Sequence, residues 1–196
     1  MDFSLSPEIA GFRDAIRRFV DAELIPLEAD PASYDAHENI APELLARMQA
    51  RAKAAGLTVA LDPSWDETLI GKPGLLKACA GVDIFLPNAE EAIAITGKAD
   101  LDAALDVLVE HFSVVAIKRG GRGALLGAGE TRISAKAPKV HVVDTTGAGD
   151  AFNAGLINAY LARRPLGECL DAGVAAGSLS VQSIGGAPRL FTSVAV

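Results

Sequence analysis

The run Asp144-Thr145-Thr146-Gly147-Ala148-Gly149-Asp150 holds the residues of this chain best placed for chemistry. It follows the apolar stretch Val140-His141-Val142-Val143 and opens a small-residue stretch, 151–161, that reads as a helix. A glycine-rich turn therefore sits where a strand hands over to a helix N-terminus. The first N–H groups of a helix have no intrahelical partner, and the helix dipole adds partial positive charge there. Glycine lets the backbone approach a ligand closely. Together these features favour an anion, above all a phosphate. Asp150 adds a carboxylate at the mouth of the cradle. Backbone donors that hold a phosphoryl group, beside a carboxylate that takes a proton, suit phosphoryl transfer to an alcohol. Asp150 would then be the general base, and the backbone of Gly147, Ala148 and Gly149 the anion hole. The plainer reading is a tight turn, with Asp150 a first-turn acid favoured by the dipole.

The elements that must position this turn follow from patterning. Short apolar runs at 57–61, 82–86 and 114–118 read as strands, and 123–127 with 131–134 as a hairpin. Segments 72–80, 88–96, 101–111, 148–163 and 167–181 read as helices. Strands alternating with helices imply an α/β fold, a mainly parallel sheet covered on both faces. Ligands in such folds sit at the carboxyl ends of the strands. Asp62, Asn88, Lys118 and Asp144 all lie at or just beyond such ends. Asn88 and Glu91 share one helix face, and the same spacing makes a capping box. Lys118 reads either as a ligand-side cation or as a solvated strand-end lysine. Asp62 reads either as a ligand-side carboxylate or as part of an Asp-Pro turn.

Residues 1–55 differ, reading as helices only. Ser6-Pro7-Glu8 makes a helix start. Phe3, Ile9, Phe12, Ile16, Phe19 and Val20 recur at helical spacing, until Pro26 ends or kinks the helix. Residues 30–39 read as a loop, Ala41-Pro42-Glu43 starts a second helix, and Gly56 ends it. The boundary falls between a 1–55 helical segment and a 56–196 domain.

Composition narrows the function. A net charge of −7 argues against nonspecific nucleic-acid or acidic-membrane binding, which need basic patches. Cys79 and Cys169 are isolated, so no disulfide framework is implied, and His37, His111 and His141 lack metal-ligand spacing. No apolar run approaches ~18 residues and no signal-peptide core opens the chain, which fits a cytoplasmic protein.

The run 144–150, continued by Ala151-Phe152-Asn153-Ala154-Gly155, resembles the second signature of the ribokinase-like (PfkB) carbohydrate kinases. Leu61-Asp62-Pro63 resembles that family's strand-end Asp-Pro, and Leu86-Pro87-Asn88-Ala89-Glu90-Glu91-Ala92 its Asn-x-x-Glu segment. Lys118-Arg119-Gly120-Gly121-Arg122-Gly123-Ala124 resembles its glycine turn, and Ser180-Val181 through Gly185-Gly186-Ala187 the segment flanking the adenine. The resemblance covers 54–190 and implies ATP, Mg²⁺ and a small sugar as partners. It places Asn88 and Glu91 near Mg²⁺ through water, and Lys118, Gly120, Gly123, Thr145, Thr146, Gly147 and Gly149 on the nucleotide side. It gives Asp144 a monovalent cation such as K⁺ in some members. Lys118-Arg119-Gly120 is similar to the branch acting on sugar acids such as 2-keto-3-deoxygluconate; ribose- and fructose-like acceptors stay open.

The chain also departs from that pattern. The family's first glycine-pair signature, most of its sugar-binding residues and its lid are not recognisable. An Asn that many members carry near Gly173-Val174 is absent. Residues 1–55 instead resemble the N-terminal helices of acyl-CoA dehydrogenases, through Met1-Asp2-Phe3-Ser4-Leu5-Ser6-Pro7 and Phe19-Val20-Asp21-Ala22-Glu23-Leu24-Ile25-Pro26. A sheet without its first strands exposes an edge and an apolar face. Either the stripe of Phe3, Phe12 and Phe19 covers that surface as core, or a second copy does, which predicts a homodimer. Three functions stay open: a sugar kinase, a nucleotide-binding fragment without sugar chemistry, and a helical interaction module fused to a kinase remnant.

Overall fold

A computed structural model describes residues 7–34, 42–67, 70–72 and 74–185. The chain divides into two compact units, Met1–Arg51 and Ala52–Val196.

The first unit is helical. Helix α1 (Pro7–Phe19) runs on through a π-helical turn, Val20–Leu24, into α2 (Ile25–Glu28). The cause lies in the sequence. Pro26 has no N–H and its ring crowds the carbonyl four residues back, so a regular α-turn cannot pass through it. The wider turn, closed by the Ile25 N–H on the Val20 carbonyl, absorbs the misfit without ending the helix. Helix α3 (Pro42–Ala54) follows. Phe3 lies outside the described residues, as does the side chain of Phe12. Ile16 and Phe19 are 48% and 53% exposed.

The second unit is built on five strands: β1 (Ala60–Leu61), β2 (Ile84–Phe85), β3 (Val114–Lys118), β4 (Ala124–Ala128) and β5 (Thr131–Ala135). They lie in the order β1-β2-β3-β4-β5. The sheet is mixed: β1, β2 and β3 are parallel, while β3-β4-β5 pair antiparallel. Side chains alternate across β3. Val114 and Ala116 join Phe152, Leu156, Leu170 and Val174 on one face. Val115 and Ile117 join Ala92, Leu105, Leu108 and Phe112 on the other. Burial on both faces explains why β3 is apolar throughout rather than alternating. Fully burying each Leu or Phe contributes roughly 1.5–3 kcal/mol. Helices α4 (Leu75–Ala78), α5 (Ala89–Thr96), α6 (Leu101–Leu108), α7 (Ala148–Leu161) and α8 (Leu166–Ser180) complete the unit.

Two glycine positions fix the frame of the site. A Cβ on Gly155 would lie 2.6 Å from the Ala172 carbonyl, so α7 and α8 cross with nothing between them. Gly123 has φ +88°, and a Cβ there would fall 2.0 Å from the Ala135 carbonyl, so the chain after β5 runs against the start of β4. Residues 140–143 are not a strand. The N–H groups of Val143 and Asp144 donate to the Val181 carbonyl at 2.7 and 3.2 Å, beyond the end of α8, instead of to a ladder. Val142 is 55% exposed. Its apolar character serves a cavity wall, not a sheet. No helix among the described residues is long and apolar enough to cross a membrane.

Candidate active site

The glycine turn is tied down at its first residue. Asp144 Oδ1 accepts from the Thr146 N–H and Oδ2 from the Gly185 N–H, both at 2.9 Å. These bonds, that from Gly185 first, hold the Asp144 carboxyl below its ordinary pKa. Gly147 then takes φ +71° as the N-cap of α7, a conformation that costs any residue with a Cβ. The Ala148 N–H closes the turn on the Thr145 carbonyl at 3.2 Å. Among the described residues, the N–H groups of Gly147, Gly149 and Asp150 have no partner. Of the three amides expected to form an anion hole, that of Ala148 is engaged in the turn, while those of Gly147 and Gly149 are unpaired, as is that of Asp150. The Asp150 carboxylate is exposed and makes no hydrogen bond or ion pair to any described residue.

Asn88 caps α5, with Oδ1 accepting from the Glu91 N–H at 2.8 Å while Glu91 Oε2 accepts from the Asn88 N–H at 2.7 Å. Glu91 is only 4% exposed. Burial, chiefly, raises its pKa; the nearby Asp62 and Glu90 charges act the same way, whereas the Asn88 N–H and Lys118 oppose it. Lys118 is not the solvated strand-end lysine. Its side chain is 13% exposed and its Nζ pairs with Asp62 Oδ2 at 2.5 Å.

These residues border two cavities. One, of about 590 Å³, is lined by Lys118, Gly120, Gly123, Thr145, Ala148 and Gly149, with Pro138, Val140, Val142, Phe152 and Val174 as apolar walls. The other, of about 550 Å³, is lined by Asp62, Asn88, Glu91, Gly149 and Asp150, with Ser64 and Trp65 beside them. Lys118, Gly120 and Gly149 border both. The sheet topology thus gathers nearly every expected site residue at one edge. Thr146, Gly147 and Asp144 line neither cavity; they shape the turn behind it. Sequence reasoning gave no role to Asn153, Trp65 or Ser178. Asn153 carried one available signal, its place one helical turn after Asp150.

An apolar-walled cavity and one lined by the carboxylates of Asp62, Glu91 and Asp150 thus share Lys118, Gly120 and Gly149 at their border. The description "pfkB family carbohydrate kinase" fits residues 18–191. The chain belongs to that family. The matched stretch begins inside the helical first unit. A cytidine kinase of Thermococcus kodakarensis is 36% identical over 139 residues, 69% of this chain and 50% of that protein. An adenosine kinase structure from Sinorhizobium meliloti aligns with TM-score 0.72 at 29% identity, covering 78% of this chain and 48% of the other. Arabidopsis thaliana ribokinase, solved with ribose and ATP, aligns with TM-score 0.65 at 30% identity over 74% and 48%. The chain spans about half the length of the family members it matches.

Proposed function

We propose that residues 56–196 form an ATP-dependent phosphotransfer site acting on a hydroxyl of a sugar or nucleoside. The apolar cavity takes the nucleotide base and ribose, and the carboxylate-lined cavity takes the acceptor. The acceptor oxygen attacks the γ-phosphorus while its proton passes to Asp150; the bond from phosphorus to the β-phosphate's bridging oxygen breaks, and ADP leaves. Charge on the transferring group meets the N–H groups of Gly147, Gly149 and Asp150 and the Lys118 ammonium. Asn88 and Glu91 offer the oxygen donors that a water-bound Mg²⁺ prefers, and the ion would neutralise phosphate charge there. A monovalent cation at Asp144 would have to share oxygens that already accept two backbone N–H bonds.

The observation that carries this reading is the unpaired Asp150 carboxylate in the second cavity, next in sequence to Gly149, which has an unpaired N–H and borders both cavities. Coupled ATP turnover against a panel of sugars, sugar acids and nucleosides tests it. An Asp150→Asn protein should turn over about 10²- to 10⁴-fold more slowly; equal rates would exclude the mechanism. Arg119 donates to the carbonyls of Arg122 and Ala124, so its guanidinium lends no support to a sugar-acid substrate.

One observation favours nucleotide binding without transfer. Asp62 is already engaged by Lys118 and Asn153, so few side chains remain to read a sugar. That reading predicts that ATP with Mg²⁺ raises the melting temperature while no acceptor speeds ADP release.

A further inference from the structure

Asp62 follows β1 and Lys118 ends β3, with β2 lying between them. Two strand spacings, roughly 9–10 Å, separate their backbones. The long lysine side chain closes that gap, and Nζ donates to Asp62 Oδ2 at 2.5 Å. Asn153 on α7 donates through Nδ2 to the same oxygen at 2.6 Å. Two donors, 56 and 91 residues away in sequence, converge on one carboxylate oxygen. Asn153 Oδ1 is buried with no partner among the described residues. Reversing the amide would set two oxygens against each other, so the side chain keeps its donor on Asp62 and leaves its own acceptor unpaired. The ammonium held in this way stands beside the glycine turn: a Cβ on Gly149 would lie 3.7 Å from Lys118 Nζ. It also borders both cavities.

We infer that Asp62 and Asn153 are positioning residues, which hold the Lys118 ammonium where the terminal phosphates of a nucleoside triphosphate would meet it. This rests on the nucleotide reading of the site. An ammonium has three N–H donors, so one bond to Asp62 leaves two for phosphate oxygens. A flexible lysine stem fixed beforehand does not have to be ordered when the ligand arrives. Asp62 thus acts on the phosphates only through Lys118.

The test is a double-mutant cycle on the full chain, read by calorimetric titration with Mg²⁺ and a non-hydrolysable ATP analogue, and with adenosine alone. Lys118→Met and Asp62→Leu should each weaken the analogue about tenfold, with adenosine changed less than about twofold. The double variant should be no weaker than Lys118→Met alone. Asp62→Asn, which still accepts from Lys118, should recover most of the affinity. If Asp62→Leu fails to fold, Asn153→Ala takes its place in the cycle. Additive losses, equal losses for adenosine, or an Asp62→Asn protein as weak as Asp62→Leu would overturn the inference. Wild-type protein that does not bind the analogue would overturn the nucleotide reading as well.

Discussion

Replacing Gly149 by Ala should raise stability and weaken nucleotide binding together. Gly149 is the second residue of α7, and its φ is not positive. A Cβ there meets only the Lys118 side chain, at 3.7 Å or more, which is ordinary van der Waals contact. The fold therefore accepts the methyl group, and the reduced freedom of the unfolded chain favours the native state by about 0.4–1 kcal/mol. At this chain length that raises Tm by about 1–4 °C. The same methyl group occupies the junction of the two cavities, where a phosphoryl oxygen would approach the Gly149 N–H. Loss of one hydrogen bond to a charged group costs about 1.5–3 kcal/mol, about 10- to 150-fold in affinity. Thermal unfolding and calorimetric titration measure the two effects separately. Gly147→Ala is the control of opposite sign. Its φ of +71° makes the substitution cost about 1–2 kcal/mol of stability. A Gly149→Ala protein that binds and turns over ATP like wild type would refute the placement of phosphate at this turn.

Other consequences follow from packing and titration. Gly155→Ala drives a Cβ into the Ala172 carbonyl, already 2.6 Å away, and should cost about 1–3 kcal/mol in urea unfolding; an unchanged midpoint would contradict the close α7–α8 crossing. Burial holds the Glu91 carboxyl above its ordinary 4.5. A raised folded-state pKa means that this group's contribution is complete below 4.5 and is lost as pH rises through the folded value. Glu91→Gln keeps an acceptor for the Asn88 N–H without titrating, so it should gain on wild type as pH climbs from 4.5 toward neutrality. A stability difference that stays flat across that range would contradict the burial argument.

Local chemistry was the part that could be read from sequence. The Asn88-to-Glu91 spacing forms its capping box, and the hairpin expected from 123–127 with 131–134 is present as β4 and β5. The glycine turn does open α7. What the sequence hid is long-range or serves a cavity. The Asp62–Lys118–Asn153 cluster joins positions 56 and 91 residues apart, and no local periodicity encodes that. Val140 and Val142 imitate a strand because a ligand-sized apolar wall and a sheet call for the same residues. Strands β1 and β2 span two residues each, shorter than the runs 57–61 and 82–86, because apolar neighbours such as Val59 and Leu86 extend the pattern beyond the paired residues. Within the glycine turn, only coordinates reveal the 3.2 Å bond that engages the Ala148 N–H and leaves its neighbours unpaired.

The claim beneath the whole account is that the amides of Gly147, Gly149 and Asp150 grip a nucleotide's terminal phosphates. Amide chemical shifts of these three residues, followed by NMR during titration with Mg²⁺ and an ATP analogue and then with adenosine, test it directly. The account predicts large shifts at all three with the analogue and small ones with adenosine. Binding that leaves these amides unmoved, or moves them equally for both ligands, would contradict it.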